Sequence, residues 1–187
     1  MMLQQVRPIF SSLFDKFRAA RNPVAFARSL GVSVGENVRF YGISRGMFGS
    51  EPWLIRIGSN VYITAGVQFV THDGGTLVLR HELPDLEWTA PIEIGNYVYI
   101  GVQSIILPNV TIGDRCIIGA GSVVSKNVPS NSVFAGVPAR LICSTDEYLE
   151  KLKAKSLGCG HLPAAEKAAV IREFYEQQGW FGHHEAR

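Results

Sequence analysis

A period of six governs this amino-acid sequence. Written from Ile94 it reads IGNYVY, IGVQSI, ILPNVT, IGDRCI, IGAGSV, VSKNVP, and each unit opens on Ile or Val, at positions 94, 100, 106, 112, 118 and 124. The fifth residue of each unit is small or β-branched: Val98, Ser104, Val110, Cys116, Ser122 and Val128. The same rule holds in VGENVR from Val34, IGSNVY from Ile57 and ITAGVQ from Ile63, in broken phase. Such a period fits neither a helix nor a long alternating strand; it fits a short strand closed by a tight turn. Residues one and five of adjoining units can then point the same way, and Gly or Asn between them is expected to supply the positive φ of the corner. Stacked units bury a column of Ile and Val that no single unit buries alone. The expected fold is an all-β solenoid, a parallel β-helix with three sixes to a triangular coil. The alternative, a β-sandwich, spaces its turns irregularly at about 8 to 12 residues.

The period slips twice. Ile94 stands 31 positions after Ile63, five sixes plus one, and the segment 71–90, THDGGTLVLRHELPDLEWTA, reads as a loop extruded from the coil. An earlier slip between Phe40 and Ile57, YGISRGMFGSEPWL, reads as a bulged coil or a smaller loop.

Composition narrows the class. Hydrophobic residues make up 47% and charged residues 18% of the 187, the balance of a globular chain. The absence of a long apolar run and of a signal-peptide pattern reads as cytoplasmic. A net charge of +2, with no basic run interleaved with aromatics, predicts no nucleic-acid partner. Cys116, Cys143 and Cys159 have neither pairing number nor CxxC spacing, so reduced thiols are expected.

On these motifs the chain resembles the hexapeptide-repeat acyltransferases. The resemblance covers about residues 32–142, and it is carried by IGNYVYIGVQSIILPNVTIGDRCIIGAGSVVSKNVPSNSVFAGVPARLI, from Ile94, together with FVTHDGG, from Phe69. Within that family it looks most like the O-acetyltransferases of capsule, O-antigen and exopolysaccharide biosynthesis. The resemblance implies a left-handed winding, a homotrimer, acetyl-CoA as donor and a sugar or polysaccharide-precursor hydroxyl as acceptor.

His72 matches the family's catalytic histidine. A sugar hydroxyl is a poor nucleophile until a base takes its proton, and imidazole suits that task near neutral pH. Asp73 stands beside it, either orienting the ring or serving as an Asx-turn residue before Gly74 and Gly75. For the donor, the positions that match the family's motifs are Gly101 and Val102, Ala120, and Ser125 and Lys126; Lys126 and Arg140 are the cations expected to meet CoA phosphates. Val102 departs from the small or polar residue usual at its place. Cys116, at an inward fifth position, is expected in the core, and direct transfer needs no covalent intermediate. A γ-class carbonic anhydrase shares the repeat but needs three histidines around zinc; the coils offer no second or third ligand, so no metal is expected.

Three segments follow: 1–31 as an N-terminal helical cap, 32–142 as the β-helix with loop 71–90, and 143–187 as a C-terminal helical extension. Val6, Ile9, Phe10, Leu13, Phe14 and Phe17 have helical spacing around Pro8 and Pro23, which suits capping of the open first coil, with a membrane-surface role as the rival reading. His81, His161, His183 and His184 are expected at the surface. Other acceptors (serine, a free sugar, an antibiotic or an amino-sugar amine) and a non-catalytic scaffold are the alternative functions.

Overall fold

The structure, a computed structural model, describes residues 15–181. The expected helix positions Val6, Ile9, Phe10, Leu13 and Phe14, and the histidines His183 and His184, lie outside the described residues. Two compact units divide the chain, one to Asp146 and one from Glu147.

In the first unit the sixes become two- and three-residue strands. They are β1 (Ser33–Val34), β2 (Arg39–Phe40), β3 (Ile55–Ile57), β4 (Tyr62–Ile63), β5 (Gln68–Phe69), β6 (Ile92–Ile94), β7 (Tyr99–Ile100), β8 (Ile105–Ile106), β9 (Thr111–Ile112), β10 (Ile117–Ile118) and β11 (Val123–Val124). From β3 onward they join three parallel sheets in strict rotation: β1-β3-β6-β9, then β2-β4-β7-β10, then β5-β8-β11. Register is exact from coil to coil, Ile63 beside Ile100 and Phe69 beside Ile106. Two longer strands end the stack. β12 (Ser132–Ala135) adds in parallel to β10, and β13 (Arg140–Ser144) turns back antiparallel on β12.

The inward positions are those the period marks. First-position Ile57, Ile63, Ile94, Ile100, Ile106, Ile112, Ile118 and Val124 and fifth-position Val61, Val67, Val98, Val110, Cys116 and Val128 are all buried. Burying one such Ile or Val side chain contributes roughly 1.5–3 kcal/mol, so the column is the main source of stability. Ser104 and Ser122, also fully buried, return their hydroxyl protons to the Gly101 and Gly119 carbonyls, at 2.8 and 2.6 Å.

The corners follow the sequence reading in part: Asn or Gly carries the positive φ at Asn37, Asn60, Gly66, Asn109 and Gly121, but Tyr97, Gln103 and Arg115 carry it as well. Each of these is the fourth residue of its unit, and none is the second-position glycine. That glycine answers a different need. A Cβ built on Gly58 would lie 2.6 Å from the Gly95 carbonyl oxygen, so the coils stack too closely for any side chain there. The third residue supplies a ladder that sequence inspection does not reveal: the Ser59 amide donates to Asn96 Oδ1 (2.8 Å), the Asn96 amide to Asp114 Oδ1 (2.6 Å), and the Asp114 amide to Ser130 Oγ (2.9 Å). Corner amides that no strand partners are thereby satisfied.

Residues 15–21 are helical, and a second helix, Pro23–Leu30, begins at an Asn22 cap whose Oδ1 accepts the Ala25 amide at 2.9 Å. Its buried Phe26 and Ala27 face the first coil, and Arg28 Nη2 donates to the Val34 carbonyl at 2.7 Å. Carbonyl groups at the end of edge strand β1 gain a partner in this way, which blunts that edge.

Both slips in the period are departures from the strand pattern. In the first, the 3-10 turn Arg45–Phe48 takes the place of a third-sheet strand, with Phe48 stacked on Phe69 (centroids 6.0 Å apart, planes at 9°). This is the bulged coil. In the second, the chain leaves after β5 and returns before β6 as a flap over residues 71–90. Its neck is a short antiparallel ladder: the Ala90 amide donates to the Thr71 carbonyl (2.8 Å), the Asp73 amide to the Trp88 carbonyl (3.0 Å), and His72 bridges Thr89.

A helix spans Thr145–Lys153, its first two residues belonging to the first unit, and the second unit holds a further helix, Ala164–Gln177. The Thr145 hydroxyl donates to the Arg115 carbonyl at 2.8 Å, within the first unit. Among the described residues, no helix is long and apolar enough to cross a membrane.

Candidate active site

The two slips meet at one point. His72 stands in the flap neck, and the chain that leaves the bulged coil through Gly49 and Ser50 brings Glu51 against it. Gly49 allows the approach: it has φ +63, and a Cβ there would lie 3.2 Å from the Phe69 carbonyl oxygen. Glu51 Oε2 accepts twice, from Thr71 Oγ1 at 2.6 Å and from His72 Nδ1 at 2.9 Å. The Thr71 hydroxyl holds the Glu51 carboxyl below its usual range; burial pulls the other way, and the His72 ring adds to the lowering. An ionised carboxylate can only accept, so Nδ1 is the donor, and in the neutral ring the lone pair is then on Nε2. The His72 side chain is 36% exposed and lines a cavity of about 350 Å³ with Ser50, Glu51, Asp73, Arg80 and Glu87.

Asp73 does other work. Its Oδ1 accepts the Gly75 amide at 2.8 Å, an Asx turn that starts the helical turn Thr76–Leu79. Of the two readings of Asp73 the structure bears out the Asx turn, and the contact to the ring is made by Glu51, which the sequence reading missed. A signal was present: Glu51 is the one acidic residue between Glu36 and Asp73, and it lies in the other slip. Farther along the flap, Arg80 pairs with Glu87 and donates from Nε to the Leu86 carbonyl at 3.0 Å. His81 is spent inside the flap, its Nδ1 2.8 Å from the Val78 carbonyl.

The expected donor residues flank the three-stranded sheet. Ser125 and Lys126 follow β11 at the end of that sheet where Thr71 and His72 follow β5, two coils along, roughly 10 Å at the usual strand spacing. Both are exposed, and Lys126 makes no ion pair among the described residues. Gly101, Val102 and Ala120 stand at the sheet's other end, where Gly101 lies so close to the next coil that a Cβ would meet the Ala120 amide nitrogen at 2.5 Å. Val102 is 43% exposed. Arg140 opens β13, with Nη1 donating to the Ala139 carbonyl at 3.0 Å. Cys116 is in the core, its Sγ 3.1 Å from the Pro129 carbonyl, and burial pushes its thiol up, away from the reactive thiolate. Among the described residues, no group of three or more His, Cys, Asp or Glu side chains is placed to hold a metal ion.

The acidic side of stability follows from Glu51. Its folded value lies below its unfolded one, so its contacts stabilise the fold above the ordinary carboxylate range and are lost as pH falls through the folded value. Glu51→Gln should shrink the difference between urea midpoints taken at about pH 7 and about pH 4, on either side of a free glutamate's midpoint. An unchanged difference would show that the carboxylate is not held in this way.

The repeating coil, the close-stacked glycines and the flap define a hexapeptide-repeat protein, and residues 91–126 match the bacterial transferase hexapeptide family, six repeats. The chain is 51% identical over 125 residues to Protein CapG of Staphylococcus aureus, covering 67% of this chain and 73% of that one. It belongs to the hexapeptide-repeat transferase family. A second relative, galactoside O-acetyltransferase of Escherichia coli (strain K12), is 38% identical over 122 residues; the match covers 64% of this chain and 57% of the relative's length. Among solved structures, a galactoside acetyltransferase in complex with coenzyme A is similar, with 28% identity, a TM-score of 0.48, and coverage of 67% of this chain and 71% of that one.

Proposed function

We propose that the protein is an acetyl-CoA-dependent O-acetyltransferase whose acceptor is a sugar hydroxyl of a surface-polysaccharide precursor, working as a left-handed homotrimer. The carrying observation is the Glu51–His72 pair in the flap neck, facing a cavity large enough for a saccharide unit. The galactoside O-acetyltransferase relative and the resemblance of the coil motifs support the donor and the acceptor class.

Acetyl-CoA, when bound, supplies an activated thioester. The residues present suit it: exposed cations at Lys126 and Arg140 for phosphates, and sheet-end positions without bulk at Gly101 and Ala120. His72 Nε2 takes the acceptor's hydroxyl proton as that oxygen bonds the acetyl carbon, and the imidazolium returns the proton to the departing sulfur. Glu51 holds the ring at Nδ1 and stabilises its transient charge. The flap neck fixes His72 between two hydrogen-bonded backbone positions, so the ring needs no reorganisation.

Thiol release from acetyl-CoA, measured across neutral and acidic saccharide acceptors, tests this reading; release at background with every saccharide, and no CoA binding, would overturn it. Lys126→Ala and Arg140→Ala should each raise the acetyl-CoA concentration needed for half-maximal rate by roughly tenfold, the usual weight of a charge-assisted hydrogen bond, with kcat little changed. Unaltered saturation curves would remove the two cations from the donor site.

A further inference from the structure

One buried polar side chain at the site touches neither cavity nor solvent. Thr71 is 0% exposed, yet its hydroxyl donates at 2.6 Å to Glu51 Oε2, the same oxygen that meets His72 Nδ1 at 2.9 Å. Its carbonyl accepts the Ala90 amide at 2.8 Å and so closes the flap neck. A Cβ on Gly49 would come within 3.6 Å of Thr71 Oγ1, which places the bulged coil directly against this hydroxyl. Thr71 thus joins the end of β5, the root of the flap and the segment that carries Glu51.

A glutamate side chain is long, and a carboxylate with one partner can rotate to offer either oxygen or swing away. With two donors converging on Oε2, one of them anchored by a fully buried backbone position, that oxygen has a single place to be. We propose that Thr71 is a positioning residue for His72, acting through Glu51: it fixes the carboxylate oxygen opposite Nδ1, keeps the proton on that nitrogen, and leaves Nε2 as the proton acceptor. The proposal rests on the reading of His72 as the general base. It adds to it a reason for the hydroxyl at position 71, where an apolar residue of the same size would fill the buried space equally well.

The test separates position from packing. In protein carrying ¹⁵N-labelled histidine, the His72 ring of the parent and of Thr71→Ser should be the Nδ1–H tautomer when neutral. Thr71→Val, which keeps the volume and loses the donor, should give a mixture of tautomers. In turnover, Thr71→Val should lower kcat by roughly tenfold, the weight of one hydrogen bond to a charged group, with the KM for acetyl-CoA unchanged and Thr71→Ser restoring most of the rate. A parent-like tautomer in Thr71→Val, or a Thr71→Ser variant as impaired as the valine, would overturn the proposal. If Thr71→Val does not fold, Thr71→Ala, which loses the hydroxyl without adding bulk, carries the same tautomer test: a ring still wholly Nδ1–H would sink it. The tautomer readout needs no substrate, so a protein with no acetyl transfer at all would refute the proposed function and still decide this one.

Discussion

His72→Ala should lower acetyl transfer by about 100- to 10,000-fold, the usual contribution of a positioned general base, while acetyl-CoA binds nearly as before. The asymmetry follows from the layout. The ring lies in the flap neck with Glu51 at 2.9 Å, whereas the expected donor contacts lie on the coil itself, at Gly101, Ala120 and Lys126. Removing the imidazole leaves the strands and their corners untouched. The exposed ring is not part of the buried column, so stability should change little. Single-turnover rates with saturating acetyl-CoA, beside an equilibrium titration of the same variant with CoA, give both numbers. A variant as fast as its parent would strip His72 of its role, and equal loss in both measurements would mean a collapsed site.

Gly58→Ala should destabilise the fold by about 3 kcal/mol, at the upper end of what overpacking costs, and lower the midpoint of thermal unfolding by roughly 6–12 °C for a chain of this size. The added methyl would stand 2.6 Å from the Gly95 carbonyl oxygen and 2.8 Å from both the Gly95 carbonyl carbon and Asn96 Oδ1. Those atoms cannot retreat alone. Gly58 donates its amide to the Ile94 carbonyl at 2.8 Å, and the Asn96 side chain is committed to the Ser59 amide, so relief requires prising β3 from β6. Gly74→Ala is the control: with nothing within 4 Å of its Cβ, it should shift stability by no more than about 0.5 kcal/mol. Scanning calorimetry of the two variants settles the comparison, and equal midpoints would refute the close-stacking account of the second-position glycine.

Much of the coil was legible because a strict period reports a repeated environment. Ile94, Ile100 and Ile106 recur at one spacing because each meets the same buried column, and the structure buries all three. The glycine at the second place of the unit was legible as a fixture but not in its cause. Sequence shows that Gly58 and Gly95 recur; whether the backbone is left-handed there or merely crowded depends on the coil above, and Asn60 and Tyr97 turn out to carry the positive φ. At the site, His72 was singled out by the family resemblance and by the rhythm that fails beside it. Glu51 was not, since the 20 intervening residues give no hint that the bulged coil and the flap neck meet. Asp73, adjacent in sequence, was open to two readings, ring partner or Asx turn. A side chain one residue away from the ring is poorly placed to turn back on it when the chain is pinned in a two-sided ladder, and Asp73 instead bonds forward to Gly75. Local reading finds turn partners well and distant partners only by chance.

The narrow neck between Thr71 and Ala90 has an architectural corollary. Because the excursion departs and returns at adjacent rungs, its far end can lengthen, shorten or be exchanged without shifting the registry of β5 against β8 or β6 against β9. Doubling such a loop costs only about 0.6 kcal/mol in closure entropy. On the proposed reading of the site, acceptor preference would be rewritten in the outer segment, roughly from Thr76 to Glu87, as an interchangeable module, while Glu51, Thr71 and His72 at the root stay in place on a scaffold that does not register the change.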